Sequence, residues 1–179
     1  KAVKMRVGIA DGSVARSASR VRAAREALGE DIDLMCDAHG TMSVPDAKRF
    51  CRLVADCDIA WFEEPVGPDN KRGLAEVRSA TDIPIAAGES EVTRFEFRDL
   101  VEARAVDILQ PDLAIAGGIT EGIRIEAICA AWQLRMAAHL WGGAPSFAAG
   151  LHLSAAASSA FILEYSLGAN PMLHELSQE

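Results

Sequence analysis

Six side chains that can ligate a metal or move a proton recur along this sequence at a near-constant interval. Asp37 closes the apolar run DLMCD, Glu63 closes IAWFE and Glu89 closes PIAAGE. Asp112 closes VDILQPD, His139 follows LRMAA and Glu164 closes AFILE. Successive separations are 26, 26, 23, 27 and 25 residues. One strand, one helix and two short loops use about that length, given strands of ~5–6 residues and helices of ~11–12. Groups at the same end of successive parallel strands converge on one mouth, and a ring of carboxylates there needs a cation. Any one of these acids alone reads as a helix N-cap or a loop charge. Three in register behind apolar strands, Asp37, Glu63 and Glu89, read as hard oxygen ligands with positions left open for substrate. That set suits Mg²⁺ (or Mn²⁺) rather than zinc.

The elements that must carry these groups alternate strand and helix. Apolar runs predict strands over 2–7, 33–36, 59–62, 84–87, 106–109, 135–138 and 161–163. A helix over 13–28 puts Val14, Ala18, Val21 and Leu28 on one face. Ser43 caps the next, with Pro45 near its first turn and Ala47, Phe50, Leu53, Val54 and Cys57 as its apolar stripe. Further helices are expected from the loop PVGPDN to about residue 80, over 94–102, over 119–132 after the Gly117-Gly118 break, and over 146–159. Seven strands joined by six helices, without linker or low-complexity tract, mean a parallel α/β sheet, open or closed. An open sheet places its site at one switch point, between two or three strand ends. Polar groups at six or seven successive ends suit a barrel whose whole C-terminal rim is the site. Such a barrel takes ~250 residues, against 179 here, so we expect a fragment with one strand missing ahead of Lys1.

Composition narrows the function classes. Half the residues are hydrophobic and a quarter are charged, enough for one globular domain with a sizeable core. The formal net charge is −8 with no basic run, which argues against nucleic acid as a partner. No stretch of 18 apolar residues suggests a membrane span. Cys36, Cys51, Cys57 and Cys129 form no C-x-x-C pair and sit mostly within apolar runs, so buried free thiols and a reducing, cytoplasmic setting are expected. No signal peptide is visible, although Lys1 begins inside an apparent strand.

The segments AVKMR (2–6), WFEEP (61–65), AAGES (86–90), QPDLAIAGGIT (110–120) and MAAHL (136–140) resemble the enolase superfamily. The nearest likeness is to its mandelate racemase/muconate lactonizing enzyme branch, with its acid-sugar dehydratases. The resemblance spans nearly the whole chain and keeps the order and spacing of every motif. It implies a modified TIM barrel, (β/α)₇β, an essential Mg²⁺, and removal of the proton α to a carboxylate to give an enediolate. It also implies an N-terminal α+β capping domain, expected to lie outside these 179 residues, a small-molecule carboxylate substrate and a homo-oligomer.

Position by position, Asp37, Glu63 and Glu89 match the metal ligands, and Asp112 and His139 match a His–Asp dyad. Glu64 is expected to point away from the metal, because successive strand side chains face opposite sides. A carboxylate on one imidazole nitrogen fixes the tautomer, so the other nitrogen can take a carbon-bound proton. Glu164 matches an acid that hydrogen-bonds the enediolate, a role that needs a protonated carboxyl. Lys4 matches the first lysine of a K-x-K pair and is expected to bind the substrate carboxylate. Arg6 stands where that pattern has its second lysine, and a permanently charged guanidinium is a poor general base. His39, two residues beyond Asp37, is expected on the same strand face as an acid for the leaving hydroxyl. His152 and His174 have no such context and read as structural.

These residues fit dehydration of a sugar acid, an aldonate or aldarate, to a 2-keto-3-deoxy acid. Racemisation or epimerisation fits them too, but asks for a base on each face, which Arg6 disfavours. A non-catalytic relative that kept the barrel, and an unrelated barrel such as a glycosidase using two of the acids, complete the alternatives.

Overall fold

The computed structural model describes residues 1–175, which form two units. The first comprises Lys1–Ala87 with Glu102–Asp107. It contains β1 (Ala2–Arg6), α1 (Val14–Leu28), β2 (Asp33–Asp37), α2 (Val44–Leu53), β3 (Ile59–Glu63), α3 (Lys71–Arg78) and β4 (Ile85–Ala87). The strands pair in parallel in chain order, as βα alternation predicts. Ser43 caps α2 through Oγ, and Asn70 caps α3 by accepting from the Gly73 N–H. Leu34, Phe50, Phe62, Leu74 and Ile85 are fully buried between helices and sheet, with the Phe50 and Phe62 ring centroids 4.8 Å apart. Arg25, at the end of α1, donates to the carbonyls of Gly29, Ile32, Cys57 and Asp58, which ties the entries to β2 and β3 together.

One irregularity matters for the site. Leu34 pairs with Ile59, but Met35 pairs with Trp61, so Ala60 is skipped. Strict alternation from the Leu34–Ile59 pair would send Asp37 and Glu63 to opposite faces. The bulge shifts the register by one, and Asp37 comes level with Glu63 on a single face.

The second unit comprises Gly88–Val101 and residues from Ile108 onward. It carries most of α4 (Thr93–Glu102), then β5 (Ile108–Leu109), α5 (Leu113–Ala116), α6 (Gly118–Ala131), β6 (Arg135–Met136), α7 (Ala144–Ala156) and α8 (Pro171–His174). β5 and β6 pair in parallel. Phe97, Leu100, Ile108, Ile125, Met136 and Leu140 form its core. Short α5, which the motif spacing did not reveal, starts at the Asp112 cap and stops at Gly117, whose φ is +111°.

The seventh expected strand is absent. Residues 161–163 are half-buried or exposed, and the segment leading into them pairs with β6 through a bridge from Met136 to Ala160. Phe161 lies instead with its ring centroid 3.4 Å from the Arg135 guanidinium carbon. The expected strands over 106–109 and 135–138 shrink to two residues each. Among the described residues, no helix is long and apolar enough to cross a membrane.

Gly88, just after β4, has φ +140°. A Cβ there would lie 2.7 Å from Phe97 Cε1 and 3.0 Å from the Gln110 nitrogen. Gly88→Ala is therefore expected to cost ~2–4 kcal/mol, from strain and overpacking together. Chemical denaturation of the intact protein checks this, and a change below ~0.5 kcal/mol contradicts it.

Candidate active site

In the first unit, the sheet register lays out two rows of side chains on one face. Lys4, Met35 and Trp61 are level with one another, and one step further along the strands so are Arg6, Asp37 and Glu63. Lys4 reaches diagonally to the second row, its Nζ 2.7 Å from Glu63 Oε1 and 2.8 Å from Oε2. Trp61, two residues before Glu63 on the same strand, donates its indole N–H to Glu63 Oε2 at 3.1 Å. Arg6 Nη2 lies 3.3 Å from Asp37 Oδ2, and the His39 backbone N–H donates to Asp37 Oδ1 at 2.7 Å.

Asp37 and Glu63 are 5% and 1% exposed. Burial is the larger force raising the Asp37 carboxyl above the usual carboxylate range, and the neighbouring Glu63 charge adds to it. Lys4, Arg6 and the His39 N–H pull the other way without prevailing. Buried, neighbouring acids whose local cations leave one of them hard to ionise form a donor set that a divalent ion completes. The chemistry of this pair therefore fits Mg²⁺.

In the second unit, the ladder continues past the two-residue strands. The Ala137 N–H donates to the Leu109 carbonyl and the His139 N–H to the Pro111 carbonyl, at 3.0 and 3.1 Å. This pairing brings Asp112 and His139 side by side. Asp112 does two jobs. Its Oδ1 accepts from the Ala114 N–H at the start of α5, at 2.8 Å, and its Oδ2 lies 2.8 Å from His139 Nδ1. An ionised carboxylate only accepts, so Nδ1 carries the proton and Nε2 of the neutral ring is a base. Nε2 lies 3.6 Å from Glu89 Oε2. Burial disfavours the charged His139 ring, but the Asp112 hydrogen bond and the charges of Glu89 and Glu164 outweigh it and raise its pKa. Glu164 Oε2 accepts from the Leu140 N–H at 3.3 Å, next to His139 in the chain.

Similarity to known proteins gives these groups a context. The family model for enolase C-terminal domain-like proteins matches residues 1–179. The chain belongs to that family. A D-galactonate dehydratase from Ralstonia pickettii (strain 12J) is 38% identical over 164 residues, covering 90% of this chain and 43% of that protein. The 3,6-anhydro-D-galactonate cycloisomerase structure from Zobellia galactanivorans superposes with a TM-score of 0.91 at 32% identity, over 98% of this chain and 49% of that one. An enolase from Bradyrhizobium, complexed with magnesium and mandelic acid, gives a TM-score of 0.84 at 32% identity, over 92% of this chain and 44% of that one. The chain thus spans less than half the length of these relatives. Its parallel α/β architecture is that of the enolase-superfamily TIM barrel, in the mandelate racemase branch.

Two residues depart from their expected geometry. β2 ends at Asp37, so strand alternation does not extend to His39. His39 has φ +48° and a side chain 53% exposed, with Nδ1 4.0 Å from Glu64 Oε2. Glu64 likewise lies beyond β3, at φ +37°, and is buried. Its direction is set by that left-handed turn and not by alternation. His152 is exposed on α7, and His174 Nε2 approaches the Gly168 carbonyl at 3.2 Å. Sequence reasoning missed Trp61, although its place two residues before Glu63 is the signal that finds it.

Two outcomes follow. The raised Asp37 carboxyl binds protons more readily folded than unfolded, so its contribution to stability falls as pH rises through the folded-state value. At neutral pH, Asp37→Asn in the intact protein should raise the melting temperature measured with chelator by ~2–4 °C, about 1 kcal/mol. The same variant should lose the stabilisation that Mg²⁺ gives. His139 should titrate above the ordinary imidazole value by NMR in cation-free protein. Asp112→Asn and added Mg²⁺ should each bring it down. Because the ring must be neutral to act as a base, activity should fall as pH drops through that titration.

Proposed function

We propose that the intact protein is a Mg²⁺-dependent enzyme that removes the proton α to a carboxylate, and that it dehydrates a sugar acid to a 2-keto-3-deoxy acid. The observation that carries this is the half-buried His139 ring, with Nδ1 fixed on Asp112 at 2.8 Å and Nε2 left as a base. The D-galactonate dehydratase relative supports a sugar acid as substrate.

In this reading His139 Nε2 takes the α-proton, and the released electron pair moves into the substrate carboxylate. When bound at Asp37, Glu63 and Glu89, Mg²⁺ (or Mn²⁺) supplies positive charge that favours this movement. Lys4 binds the substrate carboxylate, and Glu164 donates a hydrogen bond to the developing enediolate. His39, with its exposed ring, is the acid that protonates the departing β-hydroxyl. Water leaves, and the enol tautomerises to the keto acid. Arg6, a guanidinium paired with Asp37, is a poor second base for the α-carbon. That favours dehydration over racemisation. The similarity to a cycloisomerase structure keeps an isomerase as the second reading. We assign the enzyme to the cytoplasm, in keeping with four free, buried thiols, and take it to be a homo-oligomer on family likeness.

The test incubates intact protein and Mg²⁺ with a panel of aldonates and aldarates, D-galactonate among them, read by a keto-acid assay. Turnover of at least one acid is expected, falling ~10²–10⁴-fold in His139→Asn. Deuterium exchange at the α-carbon without loss of water indicates the isomerase reading. No turnover and no exchange, with Mg²⁺ bound, contradicts both.

A further inference from the structure

The Trp61 indole is buried on β3, two residues before Glu63 and on the same face. Its N–H donates to Glu63 Oε2 at 3.1 Å. We infer that Trp61 is a positioning residue that sets cation selectivity by holding the Glu63 carboxylate at a fixed rotation. The inference rests on the reading of Glu63 as a metal ligand.

Three observations build it. Lys4 lies about equally far from the two oxygens, at 2.7 and 2.8 Å, so it gives little preference for either. Trp61 adds a hydrogen bond to Oε2, 3.1 Å long, from a ring that cannot follow the carboxylate as it turns. The indole is also neutral, so it orients the carboxylate without reducing its charge, which a second lysine would do. An indole in a packed sheet interior has little freedom to follow a turning carboxylate, whereas a lysine chain does. Mg²⁺ demands near-ideal octahedral geometry from few carboxylate oxygens, whereas Ca²⁺ accepts six to eight ligands and bidentate carboxylates. A carboxylate barred from turning is therefore matched to the smaller ion, and releasing it harms Mg²⁺ more than Ca²⁺. Groups that orient a ligand commonly change metal affinity ~10–100-fold when removed.

The experiment measures Mg²⁺ and Ca²⁺ dissociation constants by titration calorimetry on intact wild-type protein, Trp61→Phe, and protein with benzothienylalanine at position 61. That last residue keeps the indole outline but replaces the N–H with sulfur. Glu63→Gln is the control for the ligand itself. The expected result is a ~10–100-fold rise in the Mg²⁺ constant in both position-61 variants, with the Ca²⁺ constant changing less than about threefold. Benzothienylalanine keeps the packing, so a loss confined to Trp61→Phe means packing alone is responsible and overturns the inference. Equal losses for both ions, or none, overturn it as well. If wild-type binding of Mg²⁺ is absent or unaffected by Glu63→Gln, the ligand reading itself fails, an outcome distinct from the others.

Discussion

Two carboxylates held side by side inside a sheet are the constraint on which the first unit is organised. Neighbouring strands lie ~4.8 Å apart, and two like charges at about that distance repel by ~3 kcal/mol at an effective dielectric of ~20. Asp37 and Glu63 sit in such adjacent, same-face positions and are nearly excluded from water. Lys4, Arg6, the Trp61 indole and the His39 N–H each offset part of that repulsion. Burial first, and what is left of that repulsion second, make the Asp37 carboxyl hard to ionise. A fold keeps such an arrangement at a cost in stability, and we propose that binding a divalent ion accounts for it.

The second unit solves a different problem with similar economy. One carboxylate, Asp112, closes a helix N-terminus with one oxygen and orients an imidazole with the other. The helix start fixes the carboxylate, and the carboxylate fixes the ring tautomer. In the proposed reaction the base is thus prepared by backbone geometry before any substrate arrives.

Much of this was legible in the sequence, for reasons that differ by element. The 26-residue spacing of Asp37, Glu63 and Glu89 reports the length of a βα unit, so parallel pairing followed from it. Apolar runs located six strands, because burial on both faces leaves a strong pattern. The run at 161–163 misled, since apolar character alone does not build a ladder, and Phe161 instead stacks with Arg135. Strand alternation does not reach His39 or Glu64, because β2 ends two residues before the first and β3 one residue before the second, in left-handed turns that spacing does not encode. The bulge that skips Ala60 is likewise invisible in the motif, yet it decides whether Asp37 and Glu63 share a face. Such departures from local rules gather beside the acids, where function rather than regularity sets the backbone.

We propose that Asp37, Glu63 and Glu89 serve one divalent ion and that His139 faces the substrate carbon. A crystal structure of the intact protein grown with Mg²⁺ and a substrate-like acid tests this most directly. The prediction is a single ion ligated by those three carboxylates, with His139 Nε2 directed at the α-carbon. An ion bound elsewhere, or His139 turned from the acid, contradicts it.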